Sequence, residues 1–102
     1  MTLMEFTIIP LDKGPRFSQY VAGILDIVDE SGLNYRLNPM GTVVEGHWDE
    51  LLHLIDTCFK SLEKQSDRIS LQVKFDHRKG VTNALESKIK SVKEKSGRSI
   101  KT

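Results

Sequence analysis

The 102-residue chain is 38% hydrophobic and 28% charged, which fits one globular domain with one core and excludes a disordered or fibrous chain. A formal net charge of +1 gives no field for non-specific binding to nucleic acid or to an anionic membrane. One cysteine, Cys58, excludes an internal disulfide and supplies no paired zinc ligand.

Along the chain, Met4, Phe6 and Ile8 alternate with Glu5, Thr7 and Ile9. That period predicts a strand with one apolar face, ended by Pro10. Leu11 to Phe17 reads as a loop, and Ser18 as the N-cap of a helix with Val21, Ile24, Leu25 and Val28 in its core stripe. Ser31-Gly32 stops that helix. Leu33 to Asn38 predicts a second strand and Thr42 to Glu45 a third, joined as a hairpin through Pro39-Met40-Gly41. Asp49 and Glu50 then open a helix whose expected buried stripe is Trp48, Leu51, Leu52, Ile55, Phe59 and Leu62.

Ile69, Leu71, Val73 and Phe75 alternate with polar residues, giving a fourth strand. Leu85, Ile89 and Val92 mark a third, basic helix, with Asn83 and Glu86 spaced to cap it. Residues 1–95 are expected to form the single domain, and 96–102 a mobile basic tail. No apolar run approaches the roughly 18 residues of a membrane span, and the N-terminus lacks a signal-peptide pattern. A cytoplasmic location is therefore the expectation.

The element order predicts an α+β, ferredoxin-like βαββαβ sandwich: a four-stranded antiparallel sheet, two helices on one face, and an added C-terminal helix. Pleat parity sends Met4, Phe6, Ile8, Ile69, Leu71, Val73 and Phe75 toward the helices. Glu5, Thr7, Ile9, Val43, Glu45, Gln72, Lys74 and Asp76 then share the other face, joined by either Tyr35 or Leu37. Glu45 interrupts an otherwise apolar strand, where an acid must face a polar site or cost stability. With Glu5, Lys74 and Asp76 it reads either as a site for a small cation with hydrogen-bonding edges or as a cross-strand ion-pair ladder.

The run Pro39-Met40-Gly41-Thr42-Val43-Val44-Glu45-Gly46, followed by the acidic helix start Asp49-Glu50, resembles the small thiamine-binding (YkoF-like) protein family. Glu5-Phe6-Thr7-Ile8-Ile9-Pro10-Leu11 is similar to the family's first strand, and Val73-Lys74-Phe75-Asp76-His77-Arg78 to its last. The resemblance implies a non-enzymatic protein that binds thiamine through its pyrimidine, with no other cofactor, and forms a homotetramer (a dimer of dimers) through its sheets. The pocket would lie on the sheet face at a subunit interface. Ligand candidates are Glu5, Thr7, Thr42, Glu45, Lys74 and Asp76, although Thr42 falls on the opposite pleat face from Glu45 unless a bulge follows Gly41. A carboxylate suits an aminopyrimidine edge, because it accepts from a ring N–H and an exocyclic amine together. The alternative is an assembly or regulatory module with no small ligand.

Other chemistry finds less support. His47, His53 and His77 form no metal set by spacing, and Cys58 has no base partner and reads as a buried thiol. Trp48 is expected in the core rather than on a ligand. Lys13-Gly14-Pro15-Arg16 is a lone basic loop, and it lacks the glycine-rich phosphate loop of acylphosphatases. The basic C-terminal run Lys88, Lys90, Lys93, Lys95, Arg98 and Lys101 would need outward aromatics on the sheet to bind RNA; Glu5, Thr7, Gln72 and Lys74 stand there instead.

Overall fold

A computed structural model describes residues 1–102. The elements are β1 (Thr2–Pro10), α1 (Ser18–Glu30), β2 (Asn34–Asn38), β3 (Gly41–Gly46), α2 (Trp48–Glu63), β4 (Ile69–His77) and α3 (Ala84–Ser96). One antiparallel sheet has the order β2-β3-β1-β4, the expected ferredoxin-like arrangement. No helix is long and apolar enough to cross a membrane.

Met4, Phe6 and Ile8 of β1 and Val44 of β3 meet Ile24 and Val28 of α1 and Leu51, Leu54, Cys58 and Leu62 of α2 in one core. The α2 stripe thus runs through Leu54 and Cys58. Leu52 is 39% exposed and Trp48 is 48% exposed. Trp48 leaves the core because it opens α2 at the rim of the helix-covered face, where it packs on Phe75 of β4 with ring centroids 4.6 Å apart. Ser18 is the first helical residue of α1 rather than its cap, since the cap position falls to Phe17. Tyr35 and Leu37 sit on the helix side, paired in register with Val44 and Thr42.

β4 departs most from expectation. Its apolar residues do face the helix side, but Leu71 and Val73 are each 37% exposed. Strand order explains this: β4 pairs only with β1, at the sheet edge, and only Ile69 and Phe75 near its two ends pack against the core.

Asp12 locks the exit of β1 to the start of β4. Its carboxylate accepts from Ser66 Oγ at 2.5 Å and from the Asp67 N–H at 2.9 Å. The Ser66 hydrogen bond, then that from Asp67, holds the Asp12 carboxyl below its ordinary value. A depressed folded value means this stabilisation is full above the unfolded carboxyl range and is lost as pH falls through the folded value. Asp12→Ala should therefore melt below the parent at neutral pH, and the gap should narrow below about pH 4. Parallel melting curves across that range would refute the lock.

Cys58 is fully buried, and burial pushes its thiol up to about 11. A thiol reagent should leave the native protein unmodified at neutral pH and label it once unfolded. Rapid native labelling would contradict this placement of α2.

Candidate functional site

Register fixes the second sheet face row by row. Asn34, Glu45, Leu3 and Asp76 form one row across β2, β3, β1 and β4. Arg36, Val43, Glu5 and Lys74 form the next. Asn38, Gly41, Thr7 and Gln72 follow, with Thr7 Cγ2 packed 3.4 Å from where a Cβ on Gly41 would lie. That Cβ would also stand 3.3 Å from the Phe6 carbonyl oxygen and 3.5 Å from Glu5 Cγ, so glycine keeps this part of the face open.

Thr42 is not part of this face. No bulge follows Gly41, so Thr42 pairs with Phe6 and is buried on the helix side. There it lines an apolar cavity of about 440 Å³ with Ile8, Phe17, Leu25, Leu37 and Met40.

The other five candidates share the face but divide between two places. Glu5 and Lys74 are a register pair, with Lys74 Nζ 3.7 Å from Glu5 Oε1 and side chains 80% and 48% exposed, respectively. With Thr7, Gln72 and Met40 they line a depression of about 230 Å³. This pair has the geometry of the cross-strand ladder, and its exposure makes it weak.

Glu45 and Asp76 lie beneath α3, which packs across the first row. Glu45 is 6% exposed, and its Oε2 accepts from the backbone N–H of Ala84 at 2.5 Å. An acid on β3 thereby satisfies one of the free amide groups at the start of α3 and complements its dipole. No buried side-chain oxygen lacks a partner, so Glu45 Oε1, which accepts no hydrogen bond from the protein, retains contact with solvent. Asp76 binds Lys88 of α3, and the Lys88 ammonium holds the Asp76 carboxyl below its ordinary value. Glu86 reaches Arg36 at 3.8 Å.

The expected Asn83–Glu86 cap does not form. Asn83 adopts a left-handed conformation at φ 58°, its side chain makes no cap bond, and Glu45 takes the capping role from another strand. Leu85 is buried, and between α3 and the sheet lies a cavity of about 700 Å³ whose walls include Leu3, Arg36, Val43, Leu85, Lys88 and Ile89. The second face therefore combines an apolar floor, one buried carboxylate with an oxygen that accepts no hydrogen bond from the protein, and a helix laid over it. Nothing in the sequence pairs Glu45 with residue 84 directly. The usable signal was the apolar set Leu85, Ile89 and Val92, which needed a surface that α1 and α2 did not already cover.

Residues 4–93 match the family model described as thiamine-binding protein. The chain is 36% identical over 90 residues to the UPF0045 protein MJ1052 of Methanocaldococcus jannaschii, covering 88% of this chain and 90% of that protein. It is 33% identical over 98 residues to the UPF0045 protein YqgV of Bacillus subtilis, covering 90% and 94% of the two chains. The crystal structure of MJ1052 superimposes with a TM-score of 0.84 at 34% identity, over 91% of this chain and 96% of that one. A Thermotoga maritima protein described as a candidate thiamine biosynthesis/salvage protein shares the fold, with a TM-score of 0.76 at 22% identity over 86% and 97% of the two chains.

Proposed function

The chain belongs to the thiamine-binding protein family, and from that premise we propose that it is a non-enzymatic binding protein for thiamine or its hydroxymethylpyrimidine moiety. The pocket is the second sheet face, completed at a subunit interface. The observation that carries this reading is Glu45: a buried carboxylate with one oxygen free of protein hydrogen bonds and not wholly shut off from solvent, in register with Leu3 on the face where Leu3 and Val43 form an apolar floor. A carboxylate so placed accepts from both donors of an aminopyrimidine edge. The neighbouring carboxylates of Glu5 and Asp76 favour the positive thiazolium on the same face. The description of the Thermotoga maritima neighbour supports the same ligand class.

Assembly follows from the sheet. The outer edge of β4 pairs with no other strand, and Leu71 and Val73 beside it are partly exposed, as are Leu37 and Met40 at the hairpin. A second copy would cover such a surface. We propose a homotetramer, a dimer of dimers. That edge surface, together with the Glu5–Lys74 pair on the second face, favours the second reading, an assembly module with no ligand.

Heating the protein with and without thiamine separates the two. Ligand at one hundred times its dissociation constant adds about 2.7 kcal/mol, which for a domain of this size raises the midpoint by roughly 10–20 °C. An unmoved midpoint, with a flat calorimetric titration and a tetramer by light scattering, would decide for the assembly module. A monomer at micromolar concentration would remove the subunit-interface pocket.

A further inference from the structure

The placement of α3 poses a conflict that rests on the ligand reading above: the carboxylate best suited to the pyrimidine edge already holds a donor from the protein's own chain. The Ala84 N–H on Glu45 Oε2 is the kind of donor a ring N–H or an exocyclic amine would supply. We propose that α3 is a displaceable cover, and that its Ala84 amide competes with the ligand for Glu45, so that binding lifts the start of α3 from the sheet.

The attachments of α3 fit that role. Leu85 is its one buried residue; Val92 on the same stripe is 60% exposed. Its side-chain links to the sheet, Lys88–Asp76 and Glu86–Arg36, lie among side chains 39–60% exposed, where water screens them. The helix is entered through Gly80 at φ 77° and through Asn83, the only non-glycine residue with positive φ in the chain. It leaves through Gly97 at φ 67°. The entry loop is tied to Met1 beside β1 through Val81, so the backbone that can swing is the turn after that tie, at Asn83. The cavity between α3 and the sheet shows that the cover is not tightly packed. The cavity reaches Ala84 and Leu3, the hydrogen-bond partner and the register neighbour of Glu45, and gives a ligand a foothold before the amide is displaced.

A covered site binds more weakly than its intrinsic affinity, by the fraction of molecules that are open. Loosening α3 should therefore tighten binding. Two full-length variants test this. Ala84→Pro removes the competing N–H at a helix position that tolerates proline, and its ring disfavours the present Asn83 conformation. Leu85→Ala removes the apolar anchor and leaves every polar link in place. Thiamine and hydroxymethylpyrimidine are titrated into each by calorimetry, and amide exchange is followed across residues 84–96 in the parent. Both variants are expected to bind about tenfold tighter than the parent, and added thiamine should speed exchange at the start of α3. Parent binding that both variants leave unchanged or weaken, with α3 exchange slowed by ligand, overturns the cover and leaves the ligand reading standing. Absence of binding by the parent and by both variants overturns the two together. Binding by the variants alone would place the cover almost fully closed in the parent and supports it.

Discussion

Glu45→Gln should weaken thiamine binding by about ten- to a hundred-fold while the fold and the oligomer persist. A hydrogen bond to a charged group contributes roughly 1.5–3 kcal/mol, and the substitution removes the charge while keeping the shape. Glutamine keeps a carbonyl oxygen that can still accept from the Ala84 N–H, so α3 retains its seat. It cannot offer two acceptors to an aminopyrimidine, because one terminal atom becomes a donor. Calorimetric titration gives the affinity, and sedimentation gives the assembly. Unchanged affinity with a loosened oligomer would mean that Glu45 serves the interface and that the ligand site lies elsewhere.

Leu51→Ala should lower the unfolding free energy by about 2–5 kcal/mol, the range for deleting a buried leucine from a packed core. Leu51 is fully buried where α2 meets β3, and its Cδ2 lies 3.4 Å from where a Cβ on Gly46 would stand. Leu33 and Leu51 thus close on the backbone of β3 together, and a void left by alanine inside the core would not readily close. For a domain of this length the midpoint should fall by at least about 10 °C, and urea titration should show the loss with an unchanged slope. Leu52→Ala, one position on but 39% exposed, should cost far less. Equal losses at the two positions would mean that the buried stripe of α2 is misplaced.

The sheet and its two covering helices are legible because β1 and β4 each carry a period of two, a short turn at Pro39-Met40-Gly41 marks β2 and β3 as a hairpin, and α1 and α2 carry a helical period. Parity alone placed Glu5, Glu45, Lys74 and Asp76 on one face, where register puts them. What parity could not supply was which strand stands at the edge, so Leu71 and Val73 read as core although no helix reaches them. Trp48 misled for a related reason: it falls on the stripe by spacing, but it opens the helix and packs on Phe75 at the rim. The sequence shows α3 and its apolar stripe but not its seat, the second sheet face, where Leu3 and Val43 supply an apolar floor. Glu45 was singled out as an acid in an apolar strand, and its actual partner is a backbone amide 39 residues away, which no side-chain pattern records.

The central position of β1 bears on how the chain comes off the ribosome. The first strand made pairs with the last, Thr2 opposite His77, across a separation of 75 residues. Until β4 emerges, one edge of β1 has no partner, and its apolar face depends on helices that are themselves only half supported. Such topology favours folding after release of most of the chain, on the slow side for a small domain, because distant ends must meet before the core is closed. The nascent chain therefore carries an exposed apolar strand for most of its synthesis, a burden that a chaperone or rapid release would relieve.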